Sequence, residues 1–155
     1  MAAGHYPVML EEAVDALAVS EAQIIVDATF GGGGHTRLIL EKLPPGGRVF
    51  GIDRDPQAAE RASDLLRDRR FTFVAGAYDE ALREMVEGGE RIDAVLFDLG
   101  LSSYQVDDPE RGFSYVNEGP LDMRLDPDSG TSAADFLNSA DRREISRVLF
   151  EYGDV

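Results

Sequence analysis

The chain has 155 residues, 43% of them hydrophobic and 29% charged. That suits a globular domain with a real core and argues against disorder; no apolar run approaches the about 18 residues of a membrane span. There are no cysteines, which excludes disulfides, thiolate metal sites and cysteine nucleophiles and makes a cytosolic address the default. The formal net charge of −15 repels nucleic acid at long range, so any RNA contact must be local or lie on residues outside this sequence.

The start of the chain lacks the basic and apolar regions of a secretory signal. An opening helix is expected over Pro7 to Ala18, with Val8, Leu10, Val14 and Leu17 on its apolar side. Gln23 to Ala28 reads as a buried strand. The run Gly31-Gly32-Gly33-Gly34 follows, then a helix from His35 to Lys42 that Pro44-Pro45-Gly46-Gly47 stops. Arg48 to Asp53 is the second strand. Asp55 caps a helix with Pro56 at its first position, running to about Arg67. Phe71 to Ala75 is the third strand, Asp79 to Glu87 a helix, and Ile92 to Phe97 the fourth strand, ending at Asp98. Gly100 to Gly130 has no clear period, which marks a functional loop or insertion. Thr131 to Asn138 and Ser139 to Tyr152 read as two helices. Strands alternating with helices predict a parallel α/β sheet, and four strands leave it unfinished.

Ligands of open parallel sheets bind beyond the carboxyl ends of the strands. The candidate residues all fall there: Asp27 through His35, Asp53, Tyr78 and Asp98. The glycine run fits neither G-x-G-x-x-G nor a P-loop, so it is a poor pyrophosphate cradle. An acid after each of the first two strands, with a glycine turn between, suits a nucleoside without phosphates. Asp53 could accept both ribose hydroxyls, and S-adenosylmethionine fits because acids attract its sulfonium. The bland reading is a corner whose glycines serve packing. On the glycines alone the two stand level, and Asp53 favours the cofactor.

Asp98 opens a polar loop, Leu99-Gly100-Leu101-Ser102-Ser103-Tyr104-Gln105. It could accept a hydrogen bond from a target amine, bond the cofactor, or cap the following turn. His35 reads as a helix starter within reach of the cofactor, not as a general base. Tyr78 could stack on an adenine or be an ordinary corner aromatic. The acidic run from Asp107 to Asp128, relieved by Arg111 and Arg124, reads as solvated surface, and no metal site is expected.

Several segments together resemble one family. They are His5-Tyr6-Pro7-Val8-Met9-Leu10, Asp27-Ala28-Thr29-Phe30-Gly31-Gly32-Gly33-Gly34-His35-Thr36, Asp98 through Asp107, Arg111-Gly112-Phe113-Ser114, and Pro120-Leu121-Asp122-Met123-Arg124. The family is the bacterial ribosomal RNA small-subunit methyltransferase H family, also called MraW. The resemblance implies a Rossmann-like class I S-adenosyl-L-methionine-dependent methyltransferase acting on the exocyclic N(4) of a cytidine in small-subunit ribosomal RNA. It implies cofactor contacts at Gly33, Gly34, His35, Asp53, Tyr78 (where relatives often carry phenylalanine), Asp98 and Gln105.

It also implies a helical substrate-recognition insertion after the fourth strand. Residues 1–105 would form the cofactor-binding core and 106–155 the start of that insertion. The partner would be small-subunit ribosomal RNA or the assembled small subunit, with a homo-oligomer left open and no membrane. The family's members are longer, so this chain reads as an N-terminal part. Two rival readings remain: a truncated cofactor-binding module without turnover, and a nucleotide-dependent oxidoreductase, against which the failed G-x-G-x-x-G counts.

Overall fold

The computed structural model describes residues 7–153; His5 and Tyr6, which open the first of the resembling segments, lie outside them. Contacts divide the chain into two compact units between Ser102 and Ser103. The first carries α1 (Leu10–Ala16), β1 (Ile24–Asp27), α2 (Gly34–Lys42), β2 (Arg48–Asp53), α3 (Pro56–Arg61), β3 (Phe71–Ala75), α4 (Tyr78–Glu87) and β4 (Ala94–Leu96). Its strands form one parallel sheet in the order β3-β2-β1-β4. The order reverses beside β1, where the chain, having built β2 and β3 on one side, returns to place β4 on the other.

Alternating side chains feed two apolar layers, as the two-residue period of a strand requires. Ile25 of β1 and Val49 of β2 join Val14, Phe30, Ile39 and Phe71 in one cluster. Val26 and Ile52 join Ala81 in the other, flanked by Phe50, Val74 and Met85. Ile25, Ile39 and Ile52 have no exposed surface; each such burial contributes roughly 1.5–3 kcal/mol. Gly51 makes room for the Phe30 ring, since a Cβ there would lie 2.6 Å from Phe30 Cδ2. That ring stacks on Phe71 with centroids 5.7 Å apart and meets Phe73 edge-on at 5.4 Å. The loop after β1 is thereby folded back onto the sheet.

Several elements depart from expectation. The first helix begins at Leu10, because Met9 takes a left-handed backbone (φ 51°), and Val8 is 65% exposed instead of packed. The helix that Asp55 caps ends at Arg61. Its hydrogen bonds then tighten, Ser63 N–H reaching Glu60 O and Leu65 N–H reaching Ala62 O, and a separate 3-10 turn covers Leu65–Arg67.

The second unit holds α5 (Ser103–Asp107), a 3-10 turn at Pro109–Arg111, α6 (Ala133–Ser139) and α7 (Arg142–Tyr152). The stretch expected to be without period therefore contains a short helix and a capped turn, with Asp108 accepting from Glu110 N–H. Ser132 and Asp135 cap α6 reciprocally, the hydroxyl taking Asp135 N–H at 3.1 Å and the carboxylate taking Ser132 N–H at 3.3 Å. Two of the resembling segments meet here. Met123 N–H donates to Arg111 O, and the Arg111 guanidinium donates to the carbonyls of Arg124 and Leu125 at 3.1 and 2.8 Å. Arg111 is only 5% exposed, so besides lending its charge to Asp122 it knits the loop together from within.

Candidate functional site

Parallel register puts the carboxyl ends of the four strands at one edge of the sheet. Asp27 lies opposite Gly51 and Leu96, and Asp53 opposite Ala75. Every loop that leaves this edge is tied to a neighbour. Gly31 N–H donates to Asp53 Oδ2 at 2.7 Å, joining the turn after β1 to the end of β2. Gly76 N–H donates to Asp53 O at 2.9 Å, bringing in the loop after β3. Asp98 N–H donates to Thr29 Oγ1 at 2.7 Å, joining the end of β4 to the loop after β1. The Arg61 guanidinium holds the glycine turn from α3, with Nε 2.9 Å from Gly31 O.

Asp53 is half-buried. Each of its oxygens already accepts one main-chain N–H, from Gly31 at 2.7 Å and from Asp55 at 2.9 Å. A carboxylate has about four acceptor positions, so each oxygen keeps one for a further donor. Asp98 is exposed, and among the described residues its carboxylate takes no hydrogen bond. Tyr78 opens α4, 41% exposed, and meets Phe97 edge-on at 5.3 Å. That contact links the loops after β3 and β4. His35 is 5% exposed and its Nε2 lies 3.3 Å from Val8 O, so it is anchored to the segment before α1.

The glycines divide by what surrounds them. Gly33 has φ +75°, and a Cβ on it would lie 2.6 Å from Phe30 Cζ. A Cβ on Gly34 would meet the Pro7 ring. Packing alone explains both. Gly31, Gly76 and Gly100 also have positive φ, but their surroundings are open, with nothing nearer than Thr29 O at 3.8 Å from the first. Gly76 escaped the sequence reading, although a glycine between a strand and a helix was the available signal. Thr29 lies within the expected stretch from Asp27 to His35, but its bond to Asp98 has no signal in the sequence, since the two are 69 residues apart.

Asp27 is fully buried beneath this edge. Its carboxylate takes the Thr36 hydroxyl at 2.7 Å and Thr29 N–H at 3.3 Å. Burial pushes its pKa up, and those two hydrogen bonds pull it back. Gln105 belongs to α5 in the second unit and is 6% exposed. Two solvent-open grooves lie on other residues. One of about 820 Å³ includes Arg37, Asp64, Arg67 and Arg70, and one of about 570 Å³ runs along α7. Neither includes a strand-end residue, and the hydrogen-bonded convergence is the better guide to chemistry. No cluster of metal-binding side chains occurs among the described residues.

The sequence model of the MraW methylase family matches residues 2–155. The ribosomal RNA small subunit methyltransferase H of Rubrobacter xylanophilus is 68% identical over 154 residues, which is 99% of this chain and 49% of that protein. The chain thus spans about half the length of this curated relative. Among solved structures, a methyltransferase from Geobacter sulfurreducens aligns with 56% of this chain and 45% of its own, at 21% identity and a TM-score of 0.45. The chain belongs to the MraW methylase family, and its parallel sheet with flanking helices is Rossmann-like, as in a methyltransferase core.

Proposed function

We propose that the chain is the cofactor-binding part of an enzyme that methylates the exocyclic N(4) amine of a cytidine in small-subunit ribosomal RNA, with S-adenosyl-L-methionine as donor. One observation carries this reading. Asp53, the open Gly31 turn, Gly76 and Asp98 are drawn to one edge of a parallel sheet by hydrogen bonds of 2.7–2.9 Å, beside the point where strand order reverses. The name of the Rubrobacter xylanophilus relative supports ribosomal RNA as the substrate class.

The residues present fit the cofactor. Asp53 retains an acceptor position on each oxygen for the ribose hydroxyls, and open space at Gly31 and Gly76 lets a ligand approach the backbone. Tyr78 offers a half-exposed ring for the adenine. Gly33, Gly34 and His35 shape the turn from below, through Phe30, Pro7 and Val8. Bound there, the cofactor supplies a methyl group on a sulfonium sulfur that leaves as a neutral thioether.

The protein's task is then to orient a weak nucleophile. An aromatic amine delocalises its lone pair into the ring. Asp98, with its carboxylate unengaged among the described residues, accepts an N–H of that amine and turns the lone pair toward the methyl carbon. With the cofactor in place the amine nitrogen would take the methyl group as the thioether leaves, and the proton it gives up would pass to solvent, to which Asp98 is exposed. Most of the rate enhancement comes from this positioning.

Labelled methyl transfer to 30S particles by the full-length enzyme tests the reading, with calorimetry for cofactor affinity. Asp98→Asn is expected to lower kcat roughly 100-fold, a larger effect than any loss of cofactor affinity through the contact implied for Asp98. An unchanged rate removes Asp98 from the reaction, and tighter binding of NAD than of S-adenosylmethionine overturns the whole assignment.

A further inference from the structure

Asp98 is exposed, and Gly100 two residues on has φ +139° with open space around it. A carboxylate on such a segment needs an anchor if it is to orient anything. The last rung between β1 and β4 runs from Ala28 N–H to Leu96 O at 2.9 Å. Continued by one step, a parallel ladder would bring Asp98 N–H to the Ala28 carbonyl. Asp98 N–H instead goes to the hydroxyl of Thr29, at 2.7 Å. A side chain thus supplies the rung that the diverging main chains cannot.

Thr29 is itself held from below. Its N–H donates to Asp27 Oδ1 at 3.3 Å, and Asp27 Oδ2 takes the Thr36 hydroxyl at 2.7 Å. Asp27 and Thr36 have no exposed surface. A line of hydrogen bonds therefore runs from the first turn of α2, through the end of β1, to the Asp98 peptide. On the other side, Phe97 rests against Tyr78. A displacement of about 1 Å at a positioning group can cost on the order of 100-fold in rate.

We infer that Thr29 is a positioning residue for methyl transfer, its hydroxyl fixing the Asp98 peptide so that the carboxylate meets the target amine. This rests on the role given above to Asp98. Thr29→Val keeps the shape and removes the hydroxyl, whereas Thr29→Ser keeps the hydroxyl.

In the full-length enzyme, with 30S particles as substrate, the valine variant is expected to lose roughly tenfold or more in kcat, with cofactor affinity and melting temperature near wild type. The serine variant recovers kcat to within about threefold, and valine added to Asp98→Asn causes no further loss, because the two residues act as one unit. Thr29→Ala replaces the valine variant if that one does not fold. A valine variant with wild-type kcat, while Asp98→Asn is impaired, overturns this inference alone. So does a loss of cofactor affinity that matches the loss of rate, or an equal loss in the Asp98→Asn background. A wild-type rate for Asp98→Asn overturns instead the reading on which the inference rests.

Discussion

Two aspartates show how differently a carboxylate can be held. Asp27 sits in the core, where burial raises its pKa above the ordinary 3.8 against the pull of the Thr36 hydroxyl and Thr29 N–H. Asp122 lies in the second unit beside the Arg124 guanidinium, 2.6 Å away, which holds its pKa down at about 2. Their effects on stability have opposite sign. The stability Asp27 supplies is present below its unfolded value and is lost as pH rises through its higher folded value. That of Asp122 is present above the usual carboxylate range and is lost as pH falls toward about 2. Asp27→Asn keeps the shape and can still bond both Thr29 and Thr36. It should gain stability relative to wild type as pH rises from about 4 to about 7, read from urea midpoints across that range. A difference that stays constant with pH would mean that Asp27 titrates in the fold as it does in the unfolded chain.

At the scale of elements, the glycine turn ties sequence to stability most directly. Gly33→Ala places a Cβ 2.6 Å from Phe30 Cζ on a backbone at φ +75°. Left-handed strain and overpacking together should cost about 2–4 kcal/mol, measured by denaturant unfolding. A loss below about 1 kcal/mol would show that Phe30 moves aside freely. The strands were legible in sequence where the pattern is local: β2 and β3 occupy Arg48–Asp53 and Phe71–Ala75 as expected. So was the start of α3, where Asp55 accepts from Gln57 N–H ahead of Pro56. The left-handed Met9 was not, and α5 is too short for any helical period to emerge. Which glycines face open space was equally hidden. The answer depends on where Phe30 and Pro7 come to rest, and that is decided by tertiary packing. The bond from Asp98 to Thr29 spans 69 residues and leaves no local signature.

For the molecule as a whole, the dominant electrostatic fact is the net charge of −15. Exposed ion pairs such as Arg37–Asp64, Lys42–Asp15, Arg48–Glu90 and Arg147–Glu144 oppose it. Each such pair contributes about 0–1 kcal/mol and weakens with salt. The excess acids repel one another over distances comparable to the screening length, about 10 Å at 0.1 M salt and about 30 Å at 0.01 M. Added salt therefore removes a little attraction and more repulsion. Between about 0.01 and 0.3 M sodium chloride the thermal midpoint should rise, by about 2–4 °C for each kcal/mol of repulsion screened. Calorimetric scans at several salt concentrations and one pH provide the measurement. A flat or falling midpoint would mean that the ion pairs contribute more stability than the surplus negative charge removes.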